Sequence, residues 1–214
     1  MGRNRNVSFA SDGLTLEGVL HLPDSTPAPG LVVCHPHPQY GGDMRNNVVS
    51  AVCETALAVG VAALRFNFRG TGGSEGAYDG GRGEQGDAVA ALSYLRSLAE
   101  IDAGRVALAG YSFGAGVALR AAGDNRGLSA LIAISIPTAG GWPQGDSACP
   151  VLFLSGDGDQ YSDPEALRRL AAGLGDQSEV TVMPGVDHFW AGAEDRLREA
   201  ISDYLPRHLI ARPR

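Results

Sequence analysis

Residues 106–122 read VALAGYSFGAGVALRAA, and this stretch decides how the rest of the chain is interpreted. The apolar run that begins at Val106 is typical of a buried strand, and the Ala/Leu-rich run from Ala115 to Ala122 is typical of a helix. Between them lies Gly-x-Ser-x-Gly, with Ser112 at its centre. A serine at so sharp a turn has a strained backbone that holds its hydroxyl beyond the sheet edge. The stretch therefore predicts that Ser112 is a nucleophile.

The composition of the chain excludes several classes of function. Its 214 residues, of which 44% are hydrophobic, suit one domain, and we expect a single domain over residues 1–214. The formal net charge of −7 argues against a nucleic-acid or membrane partner. All 17 basic residues are arginine, which excludes chemistry that needs a lysine of this chain, such as a Schiff base.

The start of the chain and its cysteines predict a cytoplasmic protein. Residues 1–6 are polar and lack the apolar core of a signal peptide, and no apolar run is long enough to span a bilayer. The cysteines Cys34, Cys53 and Cys149 are odd in number and lack the spacing of metal ligands, which favours reduced thiols. We expect neither a metal nor a cofactor, and the sequence does not indicate the oligomeric state.

Apolar runs alternate with helical patterns along the chain, which predicts a mostly parallel sheet covered by helices on both faces. A hairpin over residues 7–20, turning at Asp12-Gly13, is the antiparallel exception. Further strands are expected at residues 31–34, 62–66, from 106 onward, 131–136, 151–154 and 180–183. Helices are expected at residues 47–59, 84–99, 115–122, 164–173 and 193–209. The connection between Ile136 and Cys149 is too short for a lid domain.

A serine nucleophile needs a base, which is normally a histidine. The chain has five histidines: His21, His35, His37, His188 and His208. His188 lies after the last predicted strand and before the last helix, at the sheet edge where Ser112 is expected. His21 ends an early strand, and His208 lies near the end of the final helix, where a cation suits the helix dipole. His188 is therefore the predicted general base.

The histidine must in turn be oriented by a carboxylate. Three aspartates compete in the loop after residues 151–154, namely Asp157, Asp159 and Asp163. Asp163 lies at a predicted helix start, where it has a structural role. Asp187, beside His188, is a weaker rival. The residues alone leave the choice between Asp157 and Asp159 open.

The order Ser112, aspartate, His188 resembles the α/β-hydrolase fold. Residues 34–42 (CHPHPQYGG) and 66–76 (FNFRGTGGSEG) further resemble a small, lidless branch of serine hydrolases related to dienelactone hydrolase. This resemblance covers nearly the whole chain, although dienelactone hydrolases carry cysteine where Ser112 stands. In the family, the acid lies three residues after a glycine that ends its strand, which implies Asp159.

An oxyanion hole needs two backbone amides that point at the developing negative charge. Phe113, directly after the nucleophile, is expected to supply one of them. The second should come from the loop after residues 31–34, where proline has no N–H and only His37 and Gln39 remain. The family resemblance favours His37; the alternative is that this loop is merely stiff.

Five aromatic residues in loops are predicted to line an acyl or alcohol pocket, although each could equally pack over the core. They are Tyr40, Trp142, Tyr161, Phe189 and Trp190. Residues 66–76 are not a dinucleotide fingerprint, because Glu75 stands where the last glycine is required.

These residues predict a cofactor-free carboxylesterase whose substrate is a small or short-acyl ester. A thioesterase, a peptidase or an acyltransferase would use the same three residues, since the fold does not determine the acyl acceptor. A catalytically silent binding module is the alternative from another class, and the intact set of Ser, Asp and His argues against it.

Overall fold

The sheet determines where every functional loop emerges. A computed structural model describes residues 2–124, 127–139, 141, 142, 145 and 147–210. The strands in this part of the chain are β1 (Arg3–Ser11), β2 (Leu14–Leu22), β3 (Ala28–Cys34), β4 (Ala62–Phe66), β5 (Ile101–Tyr111), β6 (Ala130–Ile134), β7 (Val151–Gly156) and β8 (Ser178–Met183). The helices are α1 (Asn47–Ala58), α2 (Arg82–Ser97), α3 (Phe113–Asp124), α4 (Pro164–Ala172) and α5 (Glu194–Leu205).

The strands form one sheet in the order β1-β2-β4-β3-β5-β6-β7-β8. β1 pairs antiparallel with β2, which pairs antiparallel with β4, and the later neighbouring pairs are parallel. Asp12 and Gly13 turn the hairpin with φ of 49° and 81°, the left-handed conformation that a tight hairpin turn requires. The predicted α/β-hydrolase fold class, with its antiparallel N-terminal hairpin, is confirmed.

Helices cover both faces of the sheet because the central strands are apolar on both sides. All seven residues of β3 are buried. Val32 packs in the core layer that contains residues of α2, α3 and α4, whereas Leu31 packs in the layer that contains residues of α1 and α5. The continuous apolar runs of the sequence therefore reflect burial on two sides.

Several element boundaries differ from the prediction by two to five residues, and three of them, in β1, α2 and α5, have a clear physical reason. β1 begins at Arg3 rather than residue 7, because it pairs with β2 along its whole length. α2 begins at Arg82, two residues earlier, where the carboxylate of Glu84 caps the first turn. α5 ends at Leu205 rather than near residue 209, because Pro206 has no N–H to continue the hydrogen-bond ladder, and a π-helical turn follows.

The direction of strand addition reverses next to β3. The chain passes from β3 to β4 on one side and then returns to β5 on the other side. Loops at such a reversal diverge and leave a crevice at the carboxyl edge of the sheet. The loop after β3 begins at His35 and β5 ends at Tyr111, so the crevice brings His37 close to Ser112. Among the helices just described, none has the length and apolarity needed to cross a membrane.

Candidate active site

Ser112 lies at the turn between β5 and α3 with a φ of 54°, a conformation that costs a non-glycine residue energy. Its N–H donates to the carbonyl of Ile134 at 2.8 Å, which ties the turn to the end of β6. The two glycines that flank Ser112 are required because there is no room for a Cβ atom at either position. A Cβ at Gly110 would collide with the carbonyl of Gly114, and a Cβ at Gly114 would collide with the carbonyl of His35. The turn and the loop after β3 are therefore in direct backbone contact.

The side chains of Ser112, His188 and Asp159 form one hydrogen-bonded series. His188 Nε2 lies 2.9 Å from Ser112 Oγ, and His188 Nδ1 lies 2.8 Å and 3.0 Å from the two carboxylate oxygens of Asp159. The side chain of Asp159 is fully buried and that of His188 is 7% exposed. Because Nδ1 faces a carboxylate, it carries the proton, and Nε2 is left to accept the hydroxyl proton of Ser112.

The Asp159 carboxylate stays ionised because donors surround it. The amides of Tyr161 and Ser162 donate to Oδ1 at 2.9 Å and 3.1 Å, and the Ser155 hydroxyl donates to Oδ2 at 3.3 Å. Burial alone would raise the pKa of Asp159, but the hydrogen bonds from His188 and from the Tyr161 amide, together with the nearby Ser135 hydroxyl, outweigh it and lower that pKa.

The three rival aspartates each bind backbone amides elsewhere. Asp157 accepts the N–H of Gly185 at 2.6 Å. Asp163 accepts the N–H of Ala166 at 2.7 Å and caps α4. Asp187 accepts the N–H groups of the two residues that follow His188, at 3.0 Å and 3.1 Å. Only Asp159, among these four, contacts the imidazole of His188.

The amides of His37 and Phe113 have no hydrogen-bond acceptor among the described residues. The amide of Gln39, the alternative donor, instead donates to Nδ1 of the His37 ring at 3.3 Å. The His37 and Phe113 rings pack 4.8 Å apart, beside Ser112. Both residues line the cleft that contains Ser112, so their amides are the candidates for an oxyanion hole.

His35 has a structural role that the sequence did not reveal. Its Nε2 accepts the N–H of Phe68 at 3.0 Å, and its Nδ1 donates to the carbonyl of Pro36 at 2.7 Å. Burial lowers the pKa of His35 to about 4, so the ring is neutral at physiological pH. His35 thus joins the loop after β3 to the loop after β4 and fixes the position of His37.

A cleft of about 580 Å³ opens beside Ser112. No Asp, Glu, Lys or Arg is found among the described residues that line it, which are Pro36, His37, Tyr40, Gly41, Gly42, Asn46, Tyr111, Ser112, Phe113, Tyr161, His188 and Phe189. Tyr40, Phe189 and Tyr161 are 88%, 57% and 52% exposed. The cleft is therefore open, largely aromatic and uncharged.

Two of the five predicted pocket aromatics do not line the cleft. Trp190 is fully buried in the core, where its indole N–H donates to the Ser135 hydroxyl at 2.9 Å. Trp142 packs under the guanidinium of Arg120 at 4.5 Å and donates to the carbonyl of Pro137 at 3.1 Å. In each case an internal partner for the indole N–H holds the ring away from the cleft.

Two tyrosines near the site were missed in the sequence. Tyr111 precedes the nucleophile, and its hydroxyl donates to the carbonyl of His188 at 2.8 Å. Tyr78 lies in the glycine-rich connection before α2, and its hydroxyl is 3.2 Å from Nε2 of His37. No cluster of three or more His, Cys, Asp or Glu side chains able to hold a metal occurs in the described ranges.

Comparison with known proteins gives matches over most of the chain. Residues 12–188 match the model of the X-Pro dipeptidyl-peptidase (S15) family. A lidless α/β serine hydrolase from Xanthomonas campestris is 33% identical, with a TM-score of 0.86 over 99% of this chain and 97% of that one. An uncharacterised protein of Rickettsia prowazekii is 34% identical over 89% of this chain and 84% of its own.

A more distant structure shares the fold alone. The esterase Est1E of Butyrivibrio proteoclasticus, solved with ferulic acid bound, is 21% identical to this chain. Its TM-score is 0.83 over 96% of this chain and 100% of that one.

Proposed function

Because the chain belongs to the X-Pro dipeptidyl-peptidase (S15) family of α/β hydrolases and has the fold of lidless serine hydrolases, we propose that it is a carboxylesterase for small, uncharged esters. The proposal rests above all on the hydrogen-bonded series Ser112, His188 and Asp159 at the carboxyl edge of the sheet. Ser112 is the proposed nucleophile, His188 the general base and Asp159 the orienting acid.

In the first half of the reaction, Ser112 Oγ attacks the carbonyl carbon of the ester while His188 Nε2 takes the hydroxyl proton. The carbonyl oxygen becomes an oxyanion that accepts hydrogen bonds from the amides of His37 and Phe113. The tetrahedral intermediate then collapses and the bond to the alcohol oxygen breaks. His188 returns its proton to that oxygen, the alcohol leaves, and the acyl group stays on Ser112.

In the second half, water enters the open cleft and attacks the acyl carbon. His188 accepts a proton from this water, and the same two amides bind the second oxyanion. Collapse breaks the bond to Ser112 Oγ, which recovers its proton from His188, and the carboxylic acid leaves. The cycle needs no group beyond this chain and water.

The lining of the cleft favours an ester over a dipeptide substrate. A dipeptidyl-peptidase recognises the free α-ammonium of its substrate, and a carboxylate is the side chain that pairs most strongly with such a cation. None of the described residues that line the cleft is Asp or Glu, and Asp159 is already engaged by His188. An aromatic, uncharged surface suits a neutral acyl or alcohol group. The open cleft supports short or medium acyl groups.

The proposal is tested with purified protein and Ser112→Ala on three chromogenic substrates: p-nitrophenyl acetate, p-nitrophenyl butyrate and Ala-Pro-p-nitroanilide. We expect ester hydrolysis that Ser112→Ala lowers by about 10³-fold or more, with little cleavage of the anilide. Serine-dependent cleavage of the anilide at a higher kcat/KM than either ester would instead establish a peptidase. Release of nitrophenol no faster than that of the alanine variant would mean a silent binding module.

A further inference from the structure

The position that directly follows β6 carries an unusual backbone conformation. Ser135 is fully buried and has a φ of 48°. Among the described residues, only four non-glycine positions have a positive φ: Asp12 in the hairpin turn, Ser112, Ser135 and Trp190. Such conformations cost about 1–3 kcal/mol each and persist only where the surroundings enforce them. Of the three outside the hairpin, Ser112 is the proposed nucleophile, Trp190 follows His188 by two residues, and Ser135 directly follows β6.

Backbone hydrogen bonds at the end of β6 reach both of its neighbours. Ser112 N–H donates to the carbonyl of Ile134 at 2.8 Å, and Ser135 N–H donates to the carbonyl of Leu154 at 2.7 Å. Leu154 is followed by Ser155, whose hydroxyl donates to Asp159. The end of β6 therefore connects the nucleophile turn with the loop that carries the acid.

The Ser135 side chain extends this connection to the histidine loop. Trp190 Nε1, which can only donate, lies 2.9 Å from Ser135 Oγ in a fully buried contact. The hydroxyl proton of Ser135 is thus left for a further acceptor, and this hydroxyl contributes to lowering the pKa of Asp159. Ser135 therefore connects the indole of Trp190 with β7, where the Ser155 hydroxyl donates to the carboxylate of Asp159.

Trp190 also anchors the loop that carries His188. It follows His188 by two residues, and its backbone N–H donates to Asp187 at 3.1 Å. Its ring is fully buried in the core layer that contains α5. The carbonyl of His188 is held at 2.8 Å by the hydroxyl of Tyr111. The backbone between His188 and Trp190 is thus held at both of its ends, and a shift of the Trp190 ring would move one of these two anchors.

We propose that Ser135 and Trp190 act together as positioning residues, which hold Asp159 and His188 in the geometry that proton transfer from Ser112 requires. The inference rests on the proposed hydrolase function. Neither side chain touches the substrate, because neither lines the cleft. A loss of alignment should therefore lower the rate of the chemical step and leave substrate binding unchanged.

The test compares Ser135→Ala, Ser135→Gly, Trp190→Phe and the double variant Ser135→Ala/Trp190→Phe with the wild type. The glycine variant relieves the left-handed strain while it removes the hydroxyl, so it separates the two effects. Tyr204→Phe is the matched control, because Tyr204 lies in the same core layer as Trp190. The substitution removes a buried hydroxyl that lies 3.4 Å from the Leu131 carbonyl. We measure kcat and KM for p-nitrophenyl butyrate, and the downfield proton resonance of His188 Nδ1.

We expect kcat to fall about 10-fold to 100-fold in each Ser135 and Trp190 variant, with KM within about 2-fold of the wild type. The double variant should lose no more than the worse single variant, because the two residues act as a unit. The Nδ1 resonance should shift or broaden in all four variants and stay in place in Tyr204→Phe.

The inference is overturned if Ser135→Gly and Trp190→Phe keep kcat within about 2-fold of wild type, or if Tyr204→Phe loses as much as they do. Should Trp190→Phe fail to fold, the two Ser135 variants decide by the same criterion. If the wild type hydrolyses no ester, the proposed function is wrong, but this result does not by itself decide whether Ser135 and Trp190 position Asp159 and His188. The Nδ1 resonance then decides alone: an unchanged signal in Ser135→Gly overturns the pairing, and a shifted one supports it.

Discussion

Replacing Asp159 by Asn should abolish most of the activity without changing the shape of the site. Oδ1 of Asp159 accepts from the amides of Tyr161 and Ser162, so the asparagine oxygen takes that position. The new NH₂ group then occupies the Oδ2 position, 3.0 Å from Nδ1 of His188. In the wild type both carboxylate oxygens accept from Nδ1–H, at 2.8 Å and 3.0 Å, whereas in the variant the negative charge is gone and the NH₂ group can donate to an unprotonated Nδ1, so the tautomer that carries its proton on Nε2 is populated.

A protonated Nε2 cannot accept the proton of Ser112. The same replacement in a serine protease lowers kcat about 10⁴-fold, and we expect a similar loss here, which corresponds to a rise of about 5.5 kcal/mol in the activation free energy. The assay is kcat/KM for p-nitrophenyl butyrate, with a thermal melt to confirm folding. Asp157→Asn is the matched control, since its remaining oxygen still accepts the Gly185 amide, and we expect it within about 3-fold of wild type. Near-normal turnover of Asp159→Asn, or an equal loss in Asp157→Asn, would refute the reasoning.

Other expectations concern pH, the backbone contact at the nucleophile and the buried histidine. Folding lowers the pKa of Asp159, so the stabilisation that its carboxylate gives the folded protein is present above its ordinary pKa near 4 and is lost as the pH falls through the lower pKa of the folded state. Asp159→Asn should therefore reduce the loss of stability at acidic pH, which thermal melts at a series of pH values would measure. Gly114→Ala should cost about 1–3 kcal/mol in urea unfolding and lower kcat, because the added Cβ meets the carbonyls of Cys34 and His35; an unchanged protein would contradict the close contact. His35→Ala should cost about 1–3 kcal/mol, since the Phe68 amide loses its acceptor, and a thermal melt that matches wild type would exclude this link.

Much of the fold could be predicted because the central strands are buried on both faces and their sequence shows it. The continuous runs that contain Leu31 and Val151 are unambiguous, and the Asp12-Gly13 turn identifies the hairpin. The start of β1 could not be predicted, because an edge strand tolerates polar residues such as Asn4 and Asn6, and their pairing with β2 is a tertiary effect.

The candidate site could be predicted where a sequence motif determines the position of a residue. It could not be predicted where the direction in which a side chain points depends on the tertiary structure. Ser112 and His188 follow from their positions after strands. Which of Asp157 and Asp159 faces His188 depends on the turn after β7. In this turn the N–H of Asp157 donates to the carbonyl of Met183, which belongs to β8, and such a tertiary contact cannot be predicted from the local sequence. Trp190 adjoins exposed Phe189 in the sequence, yet its left-handed backbone and its bond to Ser135 place it in the core.

The proposed role of Ser112 is tested most directly by trapping the acyl-enzyme. The protein is mixed with p-nitrophenyl acetate, quenched in acid within the first turnovers, digested and analysed by mass spectrometry. We predict one acetyl group, on Ser112, which is absent when His188→Ala is treated in the same way. Acetylation of another residue alone, or equal labelling of Ser112 with and without His188, would contradict the proposed mechanism.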